Sequence, residues 1–249
     1  MTDAPLAPHV RGDPDVPLAG EALLRPVRPG NAFEDTVGRL LQTIRLGVLA
    51  PGESLPPERE LAARLGVSRD TVREAIKSLA DAGYLVARRG RYGGTFLADK
   101  LPTPTGDRPR VTRAEIDDAL RLREVLEVGA ARMAASQTLT ASEREVLWAR
   151  MTDVRGAPAV DYRRLDSRFH LAIAEAAGSP SLVTLVAENR MRLNALLDQI
   201  PLLKRNIAHS DEQHEAIVMA ILAGDCDGAA ASMMAHVAGS ATLLHGFLD

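Results

Sequence analysis

Cysteines, aromatic residues and long apolar runs are all scarce in this sequence. The 249 residues include one cysteine, Cys226, so a disulfide within the chain is excluded and a reducing cytoplasm is the expected compartment. Aromatic residues make up only 3% of the chain, so the core must be built from Leu, Val, Ala, Ile and Met. No apolar run reaches the length of about 18 residues that a membrane-spanning helix needs. The N-terminus lacks the apolar core of a signal peptide.

The rest of the composition is typical of a soluble globular protein. Hydrophobic residues make up 46% of the chain and charged residues 25%, and the formal net charge is -3. The length predicts one or two domains, each large enough to bury a core.

The segment from Leu55 to Leu97 has the pattern of a winged helix-turn-helix. Pro57 suits the first position of a helix, because an N–H there would have no partner anyway. Gly66 permits a tight turn, and Ser68 is a suitable N-cap for a second helix. Apolar residues recur at helical spacing, namely Leu61, Ala62 and Leu65, then Val72, Ile76 and Leu79. The second helix of such a pair lies in the major groove of DNA.

This segment is basic, although the chain as a whole is acidic. Residues 59–91 contain eight basic and four acidic side chains, a net charge of +4, against -3 for the whole sequence. Two predicted strands, residues 84–87 and 94–97, enclose a basic, glycine-rich tip that could approach a phosphate backbone closely. A basic patch on an acidic protein indicates nucleic-acid binding, although arginines on an amphipathic helix are often merely solvated.

The stretches LPPERELA, LGVSRDTVREAI, LADAGYL and GGTF together resemble the DNA-binding domain of the GntR superfamily of bacterial transcription regulators. The resemblance implies a set of DNA-contacting positions, which here are Arg59, Ser68, Arg69, Thr71, Arg73 and, at the wing tip, Gly90. A homodimer is expected, because paired recognition helices match the half-sites of a palindromic operator in double-stranded DNA.

Composition divides the chain into four parts. Residues 1–30 contain six prolines and are predicted to form a flexible N-terminal arm. Residues 31–99 are the predicted winged helix-turn-helix domain, with an additional helix over 32–46. Residues 100–111 are a proline-rich linker, and residues 112–249 have helical patterns throughout. The predicted fold is mainly α, with three helices and a small β-hairpin wing followed by an all-α bundle of six to seven helices.

Capping boxes predict where several bundle helices begin. In these boxes a Ser or Thr is followed three residues later by Glu or Gln. They place helix starts at Thr112, Ser142 and Ser210. Further helices are predicted over 160–177, over 180–197 and from 225 to 239 or beyond.

Four residues of the helical region could share a metal ion. Asp166 and His170 are four apart and project from one face of one helix. His214 and His236 lie on later helices, and facing helices of bundles build metal sites from such side chains. One carboxylate and three imidazoles suit Zn, Ni, Fe, Mn or Co. From spacing alone, a core histidine is the commoner interpretation, and His209 could replace His214.

The contexts D-x-x-F-H, D-E-Q-H and A-H of these residues resemble the FCD effector domain of the FadR-type subgroup of GntR regulators. With this domain the resemblance covers residues 31–249. It implies that Asp166, His170, His214 and His236 bind a divalent transition metal. It also implies that Arg123 faces the same pocket. A guanidinium beside a metal can bind a carboxylate through two hydrogen bonds, so a small carboxylate effector is expected. A surface ion pair between Arg123 and Glu127 is the alternative.

The sequence therefore predicts a ligand-responsive DNA-binding regulator, a repressor or an activator, rather than an enzyme. Two alternatives remain open. The first is a metal-dependent, hydrolase-like enzyme whose metal activates water. The second is a regulator whose metal is purely structural.

Overall fold

The computed structural model describes residues 23–24, 32–90, 93–102, 111–200, 202 and 204–248. Most of the predicted arm and most of the predicted linker lie outside the described residues. Residues 32–102, called here the head, form a winged helix-turn-helix, and residues 111–248 form an all-helical bundle. The predicted fold class is therefore confirmed. Within the described residues, no helix is both long enough and apolar enough to span a bilayer.

The head consists of three helices followed by an antiparallel hairpin. Its elements are α1 (Ala32–Arg45), α2 (Glu58–Leu65), α3 (Arg69–Asp81), β1 (Leu85–Arg88) and β2 (Gly94–Leu97). The hairpin pairs Leu85 with Leu97, and both side chains are buried with the apolar faces of the three helices. The wing is thus attached to the helical core through its own ends.

Local sequence explains the turn between α2 and α3. Gly66 ends α2 in the left-handed region, with φ +67°. The Ser68 hydroxyl accepts a hydrogen bond from the Thr71 N–H and so caps α3, as predicted. Pro57 is the N-cap of α2 rather than its first helical residue, one position away from the prediction.

In the bundle, the described residues (111–200, 202 and 204–248) form six helices. They are α4 (Arg113–Ala135), α5 (Ala141–Arg155), α6 (Tyr162–Ala176), α7 (Pro180–Leu197), α8 (Lys204–Ala223) and α9 (Cys226–Leu248). Helix α6 is central, because residues on all of its faces are buried. Small and branched side chains fill most of the core around Phe169, as the low aromatic content requires.

One of the three predicted capping boxes is correct and two are wrong. Thr112 caps α4, and Glu115 completes its box. Helix α5 is capped two residues before Ser142, because Thr140 and Glu143 form a complete box there. Ser210 lies inside α8, which starts at Lys204. The extra turn of α8 is held by packing, since the partly buried Ile207 contacts the bundle core.

The head docks on the bundle at the end of α1. Leu46 is fully buried among bundle residues, and Arg39 forms an ion pair with Glu188 of α7 at 3.5 Å. Gly47, with φ +68°, lies so close to Arg164 of α6 that an added Cβ would be 2.8 Å from Arg164 Cγ. Helix α6 therefore contacts the head directly.

Two described residues of the predicted N-terminal arm are also buried. Leu23 packs in the bundle core, and Leu24 packs in the core of the head. This differs from the flexible arm that the proline content predicted. The composition of the segment gave no sign of these contacts, because they depend on two adjacent apolar residues that lie between the two bodies.

Candidate metal centre and DNA-binding surface

Three helices bring the four predicted metal ligands together inside the bundle. Asp166 and His170 come from α6, His214 from α8 and His236 from α9. All four are buried, and each can offer one ligand atom such that these atoms all lie within 4.8 Å of one another. Donor atoms around one ion lie about 3–4 Å apart when the metal–ligand bonds are about 2.1 Å long. Small side-chain shifts would therefore bring all four atoms within bonding distance of one ion.

The Asp166 carboxylate is the common neighbour of two of the imidazoles. Its Oδ1 lies 3.4 Å from His214 Nε2 and 3.8 Å from His170 Nε2. Neither of these two nitrogens has a hydrogen-bond partner, although both are buried. Buried polar atoms are normally satisfied, so unpartnered imidazole nitrogens facing a carboxylate fit a metal-binding role.

Side-chain oxygens lie beside the Nδ1 atoms of His170 and His236. Glu127 Oε2 lies 3.0 Å from His170 Nδ1, and Gln213 Oε1 lies 3.1 Å from His236 Nδ1. An oxygen acceptor at Nδ1 favours the tautomer that carries its proton there, which leaves Nε2 as the ligand atom. Carboxylate and amide acceptors of this kind are the usual partners of metal-binding histidines.

The electrostatics of the site keep Asp166, His214 and His236 in the protonation states that a metal needs. Burial lowers the pKa of His214 to about 3 and holds the pKa of His236 well below 6.5, so both imidazoles are neutral near neutral pH. Burial alone would raise the pKa of Asp166, but the charge of Arg190 and the adjacent imidazoles outweigh it and lower the pKa. Neutral imidazoles and an ionised carboxylate are the forms that bind metal.

A cavity of about 70 Å³ opens beside the cluster. Arg123, Arg190, Asp166 and His236 line its polar side, and several Leu and Ile side chains line the rest. One water needs about 10–15 Å³ of such space, so the cavity would hold several waters or one small organic molecule. The cavity is therefore small, and it combines cationic and apolar walls.

Arg123 combines an internal ion pair with a position at the cavity. Its Nε donates to Glu127 Oε2 at 2.9 Å, so the ion pair exists, but the pair is buried and not on the surface. Nη2 lies 3.4 Å from His236 Nε2, and Nη1 is buried without a hydrogen-bond partner. Arg123 is thus held by Glu127 and faces the cavity.

Sequence reasoning missed Arg190 of α7. This side chain is fully buried, donates to the Asp166 carboxylate and to Ser167 Oγ, and lines the same cavity as Arg123. It lies far along the chain from Arg123, and an arginine on a helix normally indicates a solvated face. His209 is exposed and lies outside the cluster, whereas His214 is inside it.

The residues that the GntR resemblance assigns to DNA contact lie at the start of α2, in the first turns of α3 with its cap, and at the wing tip. Arg59, Ser68, Arg69, Arg73 and Gly90 are exposed. In the free chain, Arg73 forms ion pairs with Asp70 at 3.0 Å and with Glu58 at 3.2 Å. Thr71 is partly buried, and its hydroxyl lies 2.8 Å from Ser68 Oγ.

Known families and proteins match both parts of the chain. Residues 33–97 match the gntR family of bacterial regulatory proteins, and residues 118–239 match the FCD domain. A protein of Escherichia coli named as an L-lactate dehydrogenase operon regulatory protein is 31% identical, with 85% of each chain covered. The transcriptional regulator LutR of Bacillus subtilis is 27% identical and covers 83% of this chain and 98% of its own length.

A solved structure supports the same fold. E. coli McbR/YncC is similar with a TM-score of 0.56 at 19% identity, over 88% of this chain and 99% of its own. The relatives described above are named as regulators and not as enzymes. With its matched head, its matched helical domain and a relative that spans most of its length, this chain belongs to the GntR family of DNA-binding transcription regulators and has an FCD effector domain.

Proposed function

We propose that this regulator binds its operator as a dimer and that a small organic acid, bound beside a divalent transition metal, controls its DNA affinity. The observation that carries the proposal is the buried cluster of Asp166, His170, His214 and His236 at the wall of a small cavity that also contains Arg123. A relative that is named for an L-lactate dehydrogenase operon agrees with an organic acid as the signal.

In this proposal the metal is held by the Asp166 carboxylate and three imidazoles. When bound, the ion supplies positive charge and open coordination positions to an oxygen ligand. Arg123 supplies a guanidinium to the same ligand, and Glu127 keeps it in place from the opposite side. Arginine and carboxylate form strong, charge-assisted pairs in a low-dielectric site, so a carboxylate is the group that this wall recognises best.

The first turn of α6 provides the route from the cavity to the head. Tyr162 and Arg163 line the cavity, while Arg164 in the same turn lies against Gly47 of the head. A ligand that shifts this turn also shifts the surface on which the head rests. The acid can change DNA affinity only through such a difference in contacts between two states.

Dimer formation is supported by an exposed apolar strip on α4. Leu122, Val125 and Met133 recur at helical spacing on one side of the helix and are all exposed. Gly129 lies between them with open space around it, which permits close approach of another helix. Two heads brought together by this strip would match two half-sites of a palindromic operator.

A titration of DNA affinity against acids tests the proposal. The purified, metal-loaded protein is first used to select an operator from genomic fragments, and fluorescence anisotropy then measures its affinity with each acid of a panel. At least one small carboxylate is expected to change the affinity. In the variant Arg123→Gln the effective acid concentration should rise about ten- to a hundredfold, since a buried charge-assisted hydrogen bond is lost.

Two controls make the result specific. Arg121→Gln changes an exposed arginine on the same helix and should leave the acid response unchanged. If chelation melts the bundle while no acid alters DNA affinity in the metal-loaded protein, the metal is purely structural and the proposal fails.

A further inference from the structure

Two buried guanidiniums, not one, face the cavity beside the candidate metal ligands. Arg123 is 1% exposed and Arg190 is 0% exposed. They extend from different helices, α4 and α7, and line the same cavity. Arg123 Nη1, Arg190 Nε and Arg190 Nη1 are buried without hydrogen-bond partners. Each guanidinium therefore retains donor capacity that the chain itself does not use.

The two arginines share a single carboxylate between them. Glu127 Oε2 accepts from Arg123 Nε at 2.9 Å, and Glu127 Oε1 lies 3.6 Å from Arg190 Nη1. The other partner of Arg190 is Asp166, which is also a candidate metal ligand. Glu127 thus interacts with both arginines, and Asp166 interacts with Arg190 while also being a candidate metal ligand.

The charges of this site do not balance once a divalent ion is present. Arg123, Arg190 and the ion carry four positive charges, whereas Glu127 and Asp166 carry two negative charges. Arg163 also lines the cavity, but it is paired with Asp198 at 2.9 Å and adds no net charge. Uncompensated charge is costly in a buried site, because little water is available to solvate it. A ligand with one negative charge would leave the site cationic, whereas a ligand with two would neutralise it.

We infer that Arg190 is a second carboxylate-binding residue and that the effector is a small dicarboxylate, with one carboxylate toward the metal and Arg123 and the other toward Arg190. This inference rests on the proposed function and narrows its ligand class. A metal ion bound to Asp166 would neutralise part of the negative charge that otherwise stabilises Arg190. A second anionic group beside Arg190 would restore that stabilisation. The small cavity restricts the ligand to a short-chain acid.

Matched acids that differ by one carboxylate test this inference. In tartronate a carboxylate replaces the methyl group of L-lactate, and L-malate and 2-hydroxybutyrate form a second pair that differs in the same way. Isothermal titration calorimetry of the metal-loaded full chain measures all four affinities. The metal content is determined after each titration, because hydroxy acids can extract metal. We expect at least one diacid to bind about tenfold or more tightly than its monoacid partner.

Variants on α7 then assign the preference to Arg190. Arg190→Lys keeps a positive charge but loses the two-pronged hydrogen-bond geometry, so it should weaken diacid binding about tenfold and change monoacid binding little. Arg192→Gln removes an exposed arginine of the same helix that pairs with Asp118, and it should change neither. Equal weakening of both members of a pair by Arg190→Lys would show that Arg190 only supports the fold.

The wild-type measurement decides the ligand class even if the Arg190 variants do not fold. Equal or tighter binding of both monoacids overturns the dicarboxylate inference and leaves the proposed function standing. If none of the four acids binds, and no acid of the wider panel binds either, the proposed function and the inference are both overturned. Preferential binding of a diacid by the wild type, lost in Arg190→Lys, supports both.

Discussion

The contact between Gly47 and α6 gives a quantitative prediction about how the head and the bundle are joined. Gly47 has φ +68°, and a Cβ at this position would lie 2.8 Å from Arg164 Cγ and 3.0 Å from the Arg164 carbonyl oxygen. The side chain of Arg164 could move aside, but the carbonyl oxygen belongs to the backbone of α6. The substitution Gly47→Ala should therefore push the head away from the bundle.

The expected magnitude has two parts. An alanine in the left-handed region costs about 1–2 kcal/mol of stability through backbone strain alone. Displacement of the head also exposes part of Leu46, which is fully buried in the bundle core, and a buried leucine contributes about 1.5–3 kcal/mol. The total loss for Gly47→Ala is then about 2–4 kcal/mol.

Gly178 provides a matched control for the strain. It has φ +74° and follows α6, but no atom lies within 4 Å of the position that a Cβ would take. Gly178→Ala should therefore cost only the strain of about 1–2 kcal/mol. Urea unfolding followed by the fluorescence of Trp148, the only tryptophan, reports the stability of the bundle in both variants. Circular dichroism reports the helices of the whole chain.

The same variants test whether the contact transmits the acid signal. In Gly47→Ala, operator affinity should persist, because α2, α3 and the wing are unchanged, but it should respond to the acid only weakly. Gly178→Ala should keep the full response. If the two variants lose the same stability and keep the same acid response, the contact between Gly47 and Arg164 is not the route between the cavity and the head.

Three further changes have expected outcomes that follow from the structure. Val125→Asp places a charge in the exposed α4 strip and should shift the mass measured by light scattering from dimer to monomer. Val160→Asp changes a more exposed valine outside the strip and should leave the mass unchanged. The pKa of His214 is about 3 in the folded protein and 6.5 in the unfolded chain, so the unfolded chain binds more protons between these pH values. The metal-free protein should therefore lose stability steadily as the pH falls from 6.5 to about 3. A urea midpoint that stays constant over this pH range would contradict the prediction. Arg69→Ala and Arg73→Ala should each weaken operator binding about tenfold or more, and together they should reduce its salt dependence; unchanged anisotropy titrations would remove these residues from the DNA contact.

The head was the more predictable half of the molecule, because its determinants are local. The turn at Gly66, the cap at Ser68 and the apolar spacing of α2 and α3 each act within a few residues, and each fixes a boundary by itself. The capping boxes of the bundle were less reliable, because helix starts there also depend on tertiary packing. Thr112 caps its helix as the box predicts, whereas Ser210 lies inside α8, where the partly buried Ile207 packs against the bundle core ahead of it.

The site shows a similar division between local pattern and tertiary packing. Asp166 and His170 are paired by helical spacing, and the FCD resemblance pointed to His214 and His236, which the fold brings beside them. Arg190 could not be recognised, because its burial depends on how α7 packs against α4 and α6, and nothing in its own segment distinguishes it from a solvated arginine.

The metal content of the purified chain tests the central claim most directly. After loading with a divalent transition metal and dialysis, mass spectrometry should find one tightly held ion per chain in the wild type and almost none in His214→Ala, with the helix content of both proteins unchanged. Equal metal content in the two proteins, or none in the wild type, would contradict the buried metal centre on which the response to an acid depends.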